Sequence, residues 1–231
     1  MIELRDVGFS YPDGVVALVG VSLSIPAGER VAILGANGAG KSTLLLQLNG
    51  LLRGSGTVSI DGMTLVPATL RAIRQRVGFV FQDPDDQLFC ASVREDVAFG
   101  PRQAGLPEAE VQARCAEALA AMAITDLAPR HPHHLSLGQK KRAAIATALV
   151  MRPSVLILDE PSASLDPRTR RELIALLAAL PCTLLVASHD LALVRELCPR
   201  SIILDAGRVA ADGATTMVLG DAVLLTRCGL F

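Results

Sequence analysis

The spacing of hydrophobic and polar positions changes several times along the 231-residue chain. Residues 2–9 alternate as a half-buried strand does, and the runs 15–18 and 21–25 continue this alternation. The turn-forming clusters 12–14 and 26–28, each containing proline and glycine, bound these runs. The pattern predicts an antiparallel β region at the N-terminus, in which runs 15–18 and 21–25 are separate strands.

The rest of the chain combines short apolar runs, which predict buried strands, with longer periodic segments, which predict helices. Strands are predicted at 30–34, 57–61, 76–81, 155–158 and 183–187. Helices are predicted at 70–75, 140–151 and 168–180, with a helical region at 93–122 interrupted at 100–101 and 105–107. Segment 83–151 carries no strand signals, so we predict a helical lobe inserted into an α/β core.

A glycine-rich segment, Gly35-Ala-Asn-Gly-Ala-Gly-Lys-Ser-Thr43, separates the strand predicted at 30–34 from a helix that starts near Lys41. This order is typical of a phosphate-binding loop, in which backbone N–H groups and the positive end of the helix bind phosphate oxygens. Lys41 would reach the β- and γ-phosphates, and the Ser42 hydroxyl would ligate Mg²⁺. The predicted ATP-binding residues of this segment are Gly35, Asn37, Gly38, Gly40, Lys41, Ser42 and Thr43.

Tyr11 is the only tyrosine in a chain that has no tryptophan. Its ring could stack on an adenine base, which elsewhere is worth about 1 to 3 kcal/mol. It could equally be a half-buried aromatic side chain of a hairpin, because tyrosines are common in such positions. The sequence leaves both interpretations open.

Acidic and histidine side chains follow two of the predicted buried strands. Asp159 and Glu160 come at the end of the apolar run 155–158, and His189 follows the run 183–187. In a phosphate-loop protein, an acidic residue at such a strand end holds Mg²⁺, and a second carboxylate can polarise the attacking water. At the same sheet edge, His189 is a candidate sensor of the γ-phosphate.

Two polar residues are expected to cap helices, and one histidine cluster is not expected to bind metal. Ser136 precedes the helix predicted at 140–151, and Asp166 precedes Pro167 and the helix predicted at 168–180. In the cluster His131-Pro-His-His134, the last two histidines are adjacent, and the cluster contains no carboxylate or thiol. We therefore interpret the cluster as a polar loop rather than a metal site.

Composition limits the classes of partner. A net charge of −1 provides no positive field for a phosphate backbone, so we do not expect nucleic acid as a partner. The five cysteines are scattered without any C-x-x-C pair, which is typical of reduced thiols. A hydrophobic share of 51% is high, and a docking surface for an apolar partner is one explanation. Leu88 and Phe89, in the otherwise acidic segment after Gln82, are either part of such a surface or part of the lobe core.

The order of these motifs resembles the nucleotide-binding subunit of ATP-binding-cassette transporters. The matching features are the phosphate loop, Gln82, the signature Leu135-Ser-Leu-Gly-Gln139, Asp159-Glu160, Ser164-Leu-Asp166 and His189. The resemblance covers nearly the whole chain. It implies one cassette domain over 1–231, with a RecA-like core formed by 1–82 and 152–231 and a helical lobe, 83–151, that carries the signature. The implied fold class is α/β: a P-loop NTPase core with a mainly parallel sheet, an N-terminal antiparallel β region and an inserted α-helical lobe.

The resemblance also implies a role for each matching residue. Two ATP molecules with Mg²⁺ are expected between the phosphate loop of one subunit and the signature of the other, in a head-to-tail dimer. The implied roles are adenine stacking by Tyr11, Mg²⁺ binding by Ser42, Gln82 and Asp159, contact with the opposite γ-phosphate by Ser136, Gly138 and Gln139, general base catalysis by Glu160, γ-phosphate contact by His189, and a place at the dimer seam for Asp166. Gln82 is also expected to link the nucleotide to a membrane partner.

Three segments resemble more closely the energising ATPases of energy-coupling-factor importers, especially the cobalt and nickel uptake group. They are Phe81-Gln-Asp-Pro-Asp-Asp-Gln-Leu-Phe89, Glu95-Asp-Val-Ala-Phe-Gly-Pro101 and Gln139-Lys-Lys-Arg142. This resemblance implies a peripheral ATPase on the cytoplasmic face of the cell membrane, paired with a second copy or a homologous ATPase and with integral membrane transporter subunits. It leaves open a vitamin importer of the same class.

Two other functions remain open, and two features of the chain depart from the family pattern. A soluble cassette ATPase acting on DNA or the ribosome would typically carry coiled-coil insertions or tandem cassettes, and a non-hydrolysing regulator would lack ATPase activity. Leu137 stands where the family usually has glycine, which bears on the hydrolysis rate. The chain ends at Phe231, where many relatives have an extension, which bears on regulation by the C-terminus.

Overall fold

The computed structural model describes residues 1–230, and Phe231 lies outside this range. The strands are β1 (Ile2–Ser10), β2 (Val16–Ile25), β3 (Arg30–Leu34), β4 (Ser55–Ile60), β5 (Met63–Thr64), β6 (Val77–Val80), β7 (Val155–Asp159), β8 (Thr183–Ala187), β9 (Arg200–Asp205) and β10 (Arg208–Ala214). The α-helices are α1 (Lys41–Leu48), α2 (Leu70–Arg76), α3 (Val93–Gln103), α4 (Glu108–Ala121), α5 (Leu137–Leu149), α6 (Pro167–Ala178), α7 (Leu191–Leu197), α8 (Thr215–Val218) and α9 (Ala222–Arg227). Short 3-10 turns lie at Pro84–Asp86, Thr125–Leu127 and Pro132–His134.

The strands form two sheets. The larger sheet has the order β10-β9-β3-β8-β7-β6, and its pairs are parallel except for the antiparallel pair of β9 with β10. The smaller sheet, β2-β1-β4-β5, is antiparallel throughout. The predicted α/β fold, with a mainly parallel sheet, an N-terminal antiparallel region and an inserted helical segment, is confirmed.

Alternate residues of β3 face different cores, because successive side chains of a strand point to opposite faces. Val31 and Ile33 pack against the small sheet and α1, in a cluster that includes Leu44 and Leu45. Ala32 and Leu34 pack on the other face, in a cluster that the helices between β6 and β7 and the helices after β7 share. Burial on both faces explains why β3, β7 and β8 are continuous apolar runs.

The prediction of two strands at 15–18 and 21–25 was wrong, because β2 is continuous from Val16 to Ile25. Gly20 lies inside this strand with a φ of 62°, a conformation that glycine adopts at little cost. The pairing of β1 with β2 shifts register at three places between Leu4 and Ser10. These irregularities let one strand follow the curvature of the sheet where the sequence pattern indicated a break.

Two helix predictions in the segment between β6 and β7 also needed correction. α3 continues through Gly100 and Pro101 and ends only at Gln103, so the predicted interruption at 100–101 is wrong. Pro101 lies in the last turn of the helix, and the left-handed Gly105, with a φ of 79°, follows it. α5 begins at Leu137, three residues before the predicted start, because Ser136 already caps it there.

Residues beyond Asp190, to which the sequence analysis assigned no elements, complete the larger sheet and cover one end of it. β9 pairs with β3 in parallel register, and β10 closes this edge. The short helices α7, α8 and α9 pack around these strands through Leu193, Val218 and Leu225. Within residues 1–230, no helix combines the length and the apolar character needed to traverse a bilayer.

Candidate active site

The phosphate-binding loop begins where β3 ends and turns tightly into α1. A Cβ atom at Gly35 would overlap the carbonyl oxygen of Leu204 on β9. Gly40 has a φ of 101°, and a Cβ atom there would lie 2.5 Å from the carbonyl oxygen of Ala17. Glycine is therefore required at both positions by close backbone packing and by a positive φ, which is 149° at Gly35.

Lys41, the first residue of α1, is only 8% exposed. Its ammonium Nζ donates to the carbonyl oxygens of Gly35 at 2.7 Å and Ala36 at 3.0 Å. The loop thus holds a positive charge at its mouth next to the N-terminus of α1. This combination attracts anionic phosphate groups.

A cavity of about 800 Å³ lies above this loop, which is a size typical of ligand sites. All of the residues predicted to bind ATP within one subunit or to act in catalysis line it: Tyr11, Gly35, Asn37, Gly38, Gly40, Lys41, Ser42, Thr43, Gln82, Asp159, Glu160 and His189. Six further residues, which the sequence analysis did not select, complete the lining: Val15, Val16, Ala17, Ala36, Gly229 and Leu230. The apolar members could not be recognised from the sequence because they carry no polar motif.

Tyr11 follows β1 and lies at the rim of the cavity, where it is 37% exposed. Its hydroxyl group forms a hydrogen bond of 2.9 Å with the Thr43 hydroxyl of the phosphate loop. Its ring packs edge-on against Phe9, with the ring centroids 5.0 Å apart. Tyr11 is thus a hairpin aromatic that also lines the cavity, and the two interpretations of the sequence are compatible.

Three oxygen-bearing side chains lie together in the cavity near the end of β7. Burial raises the pKa of Asp159 above its ordinary value, and a hydrogen bond from Ser42 together with the charge of Lys41 opposes this rise. Gln82 is exposed to the same cavity. A carboxylate, a hydroxyl and an amide oxygen are hard donors of the kind that Mg²⁺ prefers, and a cation here would offset the burial of Asp159. The residues present therefore fit a magnesium ion.

Glu160 directly follows β7, and its side chain is held by the end of β8. Its Oε2 atom accepts hydrogen bonds from the Ser188 hydroxyl at 3.3 Å and from the His189 backbone N–H at 3.4 Å. The Nδ1 atom of His189 lies 2.9 Å from the same oxygen. Parallel pairing of Asp159 with Ala187 brings the two strand ends together. The imidazole of His189 is 70% exposed and can therefore contact a ligand in the cavity.

The segment after β6 carries Gln82 and is fixed by a second glutamine that the sequence analysis did not select. Gln87 accepts the backbone N–H of Phe81 at 3.1 Å. Its amide nitrogen donates to the carbonyl oxygen of Ala144 at 2.9 Å and to the hydroxyl of Thr147 at 2.7 Å, both on α5. Gln87 therefore ties the Gln82 segment to α5, the helix whose first turn contains the end of the signature.

The signature residues do not line this cavity. Ser136, Gly138 and Gln139 border a separate surface depression of about 270 Å³. Ser136 and Gln139 form a reciprocal cap at the start of α5, in which each side chain accepts the other's backbone N–H. A Cβ atom at Gly138 would overlap the Thr169 side chain. Asp166 caps α6, accepting the N–H groups of Arg168 at 2.9 Å and Thr169 at 3.0 Å. In a single copy, the signature and the phosphate loop therefore belong to different surfaces.

Leu88 and Phe89 differ in exposure although they are neighbours in the chain. Leu88 is 7% exposed and belongs to the core, so of the two alternatives, a docking surface and the lobe core, the core applies to Leu88. Phe89 is 66% exposed and packs edge-on against Phe99, which is 44% exposed. The buried carboxylate of Asp96 accepts the backbone N–H groups of Phe89 and Cys90, both at 2.9 Å. This contact fixes Phe89 at the surface.

Known proteins resemble this chain over most of its length. The profile of the ABC transporter family matches residues 18–163. A cobalt import ATP-binding protein of Rhodobacter capsulatus is 51% identical, over 96% of this chain and 81% of its own length. A nickel import ATP-binding protein of the same organism is 46% identical, over 99% and 94%. An energy-coupling factor transporter ATP-binding protein of Methanothermobacter thermautotrophicus is 48% identical, over 100% and 76%.

Solved structures share the fold along most of their length. The structure of cbiO1 from Clostridium perfringens, part of the ABC transporter complex cbiONQ, superimposes with a TM-score of 0.87 at 40% identity, over 99% of this chain and 94% of that one. A dimeric ATP-binding cassette, MJ0796, bound to ADP and phosphate, superimposes with a TM-score of 0.84 at 31% identity, over 93% and 99%. The resemblance inferred from the motifs is confirmed, and the chain belongs to the ABC transporter family as one of its ATP-binding subunits.

Proposed function

We propose that this chain is the ATP-hydrolysing subunit that energises an importer of the energy-coupling-factor type, with cobalt or nickel ions as the cargo. The observation that carries the proposal is the cavity above the phosphate loop. Residues from three regions, 11–43, 82 and 159–189, meet there with the chemistry that ATP hydrolysis needs. Two strands, β7 and β8, end in this cavity and hold the acidic residues and the histidine.

In this proposal each group of the cavity has one task. Lys41 and the backbone of the glycine-rich loop bind the β- and γ-phosphates, and Tyr11 stacks on the adenine. Ser42, Asp159 and Gln82 hold Mg²⁺, which when bound neutralises charge on the phosphate oxygens. The domain is one cassette, with a RecA-like core, 1–82 and 152–231, and a lobe, 83–151.

Glu160 is the general base, and His189 is the residue that contacts the γ-phosphate. The Nδ1 atom of His189 lies 2.9 Å from Oε2 of Glu160, so in this conformation the imidazole occupies one side of the carboxylate. When the imidazole turns towards the γ-phosphate, Oε2 is released to accept a proton from the attacking water. The Ser188 hydroxyl and the His189 N–H keep the carboxylate in place during this exchange.

Besides ATP, this proposal includes a protein partner, which is another copy of the chain or a homologous ATPase. Ser136, Gly138 and Gln139 lie apart from the cavity, so within one copy they cannot contact its nucleotide. A head-to-tail partner would supply the missing signature to the γ-phosphate of each ATP. The dimeric form of MJ0796, whose fold is similar, supports this arrangement.

The proposal also includes an integral membrane subunit, which would hold the chain at the cytoplasmic face of the membrane. Phe89 and Phe99 are an exposed aromatic pair on the lobe, joined in sequence to Gln82. Exposed aromatic side chains that lie next to each other are typical anchors for an amphipathic helix. Contact there would transmit the state of the nucleotide through Gln82 to the membrane subunit.

Cobalt or nickel is proposed as the cargo because relatives near 50% identity are import proteins for these ions. A vitamin importer of the same class would use the same ATPase surface.

The test is to capture the chain with its membrane subunits, reconstitute the complex in vesicles, and measure ATP-driven uptake of Co²⁺, Ni²⁺ and vitamins. A Lys41→Ala complex is the matched control. Uptake of Co²⁺ or Ni²⁺ that the control lacks is the expected result. Uptake of a vitamin alone, or failure of an active ATPase to capture any membrane subunit, would contradict the proposal.

A further inference from the structure

Lys141 on α5 contacts two catalytic segments at once. Its Nζ atom donates to the carbonyl oxygen of Glu160 at 2.9 Å and to that of Gln82 at 3.3 Å. The side chain is only 5% exposed. Lys141 lies in the segment Gln139-Lys-Lys-Arg142 that resembles energy-coupling-factor ATPases, but neither that resemblance nor the proposed mechanism assigns it a role.

We infer that Lys141 is a positioning residue, which holds the Glu160 backbone and the Gln82 segment in register with the signature helix. The inference rests on the proposed function, because it assigns Glu160 and Gln82 their roles. Lys141 lies five residues after the cap residue Ser136 on the same helix. A shift of α5 would therefore change the hydrogen bonds of Lys141 to the carbonyl oxygens of Gln82 and Glu160.

The backbone of Glu160 is in a conformation that needs support. Its φ of 47° is in the left-handed region, which costs a non-glycine residue roughly 1 kcal/mol or more. Two donors satisfy its carbonyl oxygen, the Lys141 ammonium and the backbone N–H of Ala163 at 3.2 Å. Its own N–H donates to the Ala187 carbonyl at 2.9 Å. Of these three contacts, the one with Lys141 comes from the helical lobe.

The positive charge of Lys141 lies among the carboxylates around the Glu160 backbone. Burial lowers the pKa of its ammonium, and the carboxylates of Glu160, Asp83 and Asp159 oppose that shift. A buried lysine would be costly to retain if it only filled space, because an apolar side chain of the same length fills space without the cost of desolvation. Its bonds to two carbonyl oxygens give the lysine a specific geometry.

The chain offers a matched control in the neighbouring Lys140. Its ammonium pairs with Asp85 at 2.7 Å on the 3-10 turn after Gln82 and makes no hydrogen bond to Glu160 within residues 1–230. Lys140→Met and Lys141→Met therefore remove the same group from the same helix. They differ in the contact with the catalytic backbone.

The experiment compares ATP hydrolysis and amide hydrogen exchange in the parent, Lys141→Met, Lys141→Arg and Lys140→Met proteins. We expect Lys141→Met to lower kcat at least about tenfold with KM for ATP within about threefold, because a small misplacement of a catalytic group is costly while binding contacts are kept. Amide exchange should rise around residues 82–87 and 160–163 and not elsewhere. Lys141→Arg, which can still donate to two carbonyl oxygens, should recover most of kcat. Lys140→Met should match the parent.

A parent kcat in Lys141→Met, or a loss of kcat that equals the loss of folded protein, would overturn the inference. If this variant does not fold, Lys141→Gln replaces it and is held to the same criteria, since its shorter, uncharged side chain loses the reach and the charge of the ammonium group. If both variants fail to fold, Lys141 is only structural and the inference is wrong. An inactive parent would instead contradict the proposed function, whereas local exchange in the nucleotide-free protein would still test Lys141.

Discussion

Glu160 combines an unusual backbone with a crowded side chain. Its φ is 47°, it is 8% exposed, and its Oε2 atom is shared by the Ser188 hydroxyl and by His189. A residue in this conformation is retained only where surrounding contacts support it. The contacts at both ends of the residue therefore aim the carboxylate into the cavity, as a general base requires.

Replacing Glu160 with glutamine removes the proton acceptor and keeps the size of the side chain. Glu160→Gln should bind ATP with similar affinity and lower kcat by roughly 10² to 10⁴-fold, the usual contribution of a general base. Steady-state hydrolysis and equilibrium binding of ATP measure the two quantities. Hydrolysis at the parent rate would assign the base to another residue.

Leu137 departs from the glycine usual in the signature and is accommodated without strain. It is the first residue of α5 and is not among the left-handed residues of the part of the chain that the structure describes. Its side chain is 38% exposed and borders the groove next to Gln82 and Lys141. No conformation here requires glycine.

Leu137→Gly should therefore not raise kcat. Glycine in a helix is less favourable than an ordinary residue by up to about 1 kcal/mol, so the free energy of unfolding should fall by that amount or less. Hydrolysis rates and urea unfolding of both proteins provide the measurements. A faster enzyme would mean that the leucine is strained in the closed dimer.

At the scale of elements, α5 connects the parts of the site. Gln87 and Lys141 tie it to the Gln82 segment, and the cap at Ser136 begins it at the signature. Phe89 and Phe99 lie on the same lobe, at its surface. A force applied by a partner at Phe89 can therefore reach Gln82 through a short, hydrogen-bonded segment.

Truncating Phe89 tests this surface. Phe89→Ala should leave the free subunit folded and its ATP binding intact, because the ring is 66% exposed. Loss of one aromatic anchor should weaken docking by about 2 kcal/mol or more, roughly thirtyfold. Co-purification with the membrane subunits and ion uptake are the measurements, and Val223→Ala, at a residue 80% exposed on α9, is the control. Normal assembly and uptake would locate the docking surface elsewhere.

The sequence predicted those features that depend on neighbouring residues. The glycine-rich loop, the caps at Ser136 and Asp166, and the strands ending at Asp159 and Ala187 are encoded locally. The meeting of Glu160 with His189 also followed from the sequence, because parallel strands end at one sheet edge.

Features that depend on how elements pack could not be predicted. Leu88 and Phe89 follow one 3-10 turn, Pro84–Asp86, and only the packing of that turn decides which of the two is buried. The contact of Lys141 with Glu160 depends on the position of the whole lobe against the core. β10 was missed because Arg208–Ala214 has only a weak strand pattern, whereas β9 contains the apolar run 202–204, which the sequence does show.

At the scale of the whole molecule, the candidate site residues lie on two separate surfaces. One cavity holds the phosphate loop, the candidate magnesium ligands and the candidate base, while the signature borders another depression. A complete site would then need two chains with two-fold symmetry, each contributing a different surface to each ATP. Such an assembly should allow two inactive variants to complement each other, which a site within a single chain would not.

Two inactive variants, each damaged on a different surface, should restore activity when mixed. Lys41→Ala disables the phosphate loop, and Ser136→Arg blocks the signature with a bulky side chain at an exposed position, losing a cap worth about 1 kcal/mol. In a mixed dimer, both defects fall on one site, and the other site combines an intact loop with an intact signature. Random pairing makes about half of the dimers mixed, so activity should reach about a quarter of the parent value if the two sites act independently. ATP hydrolysis of the mixture, compared with each variant alone and with the formation of mixed dimers, measures this. If mixed dimers form and remain as inactive as the separate variants, the signature does not complete the site of the opposite chain.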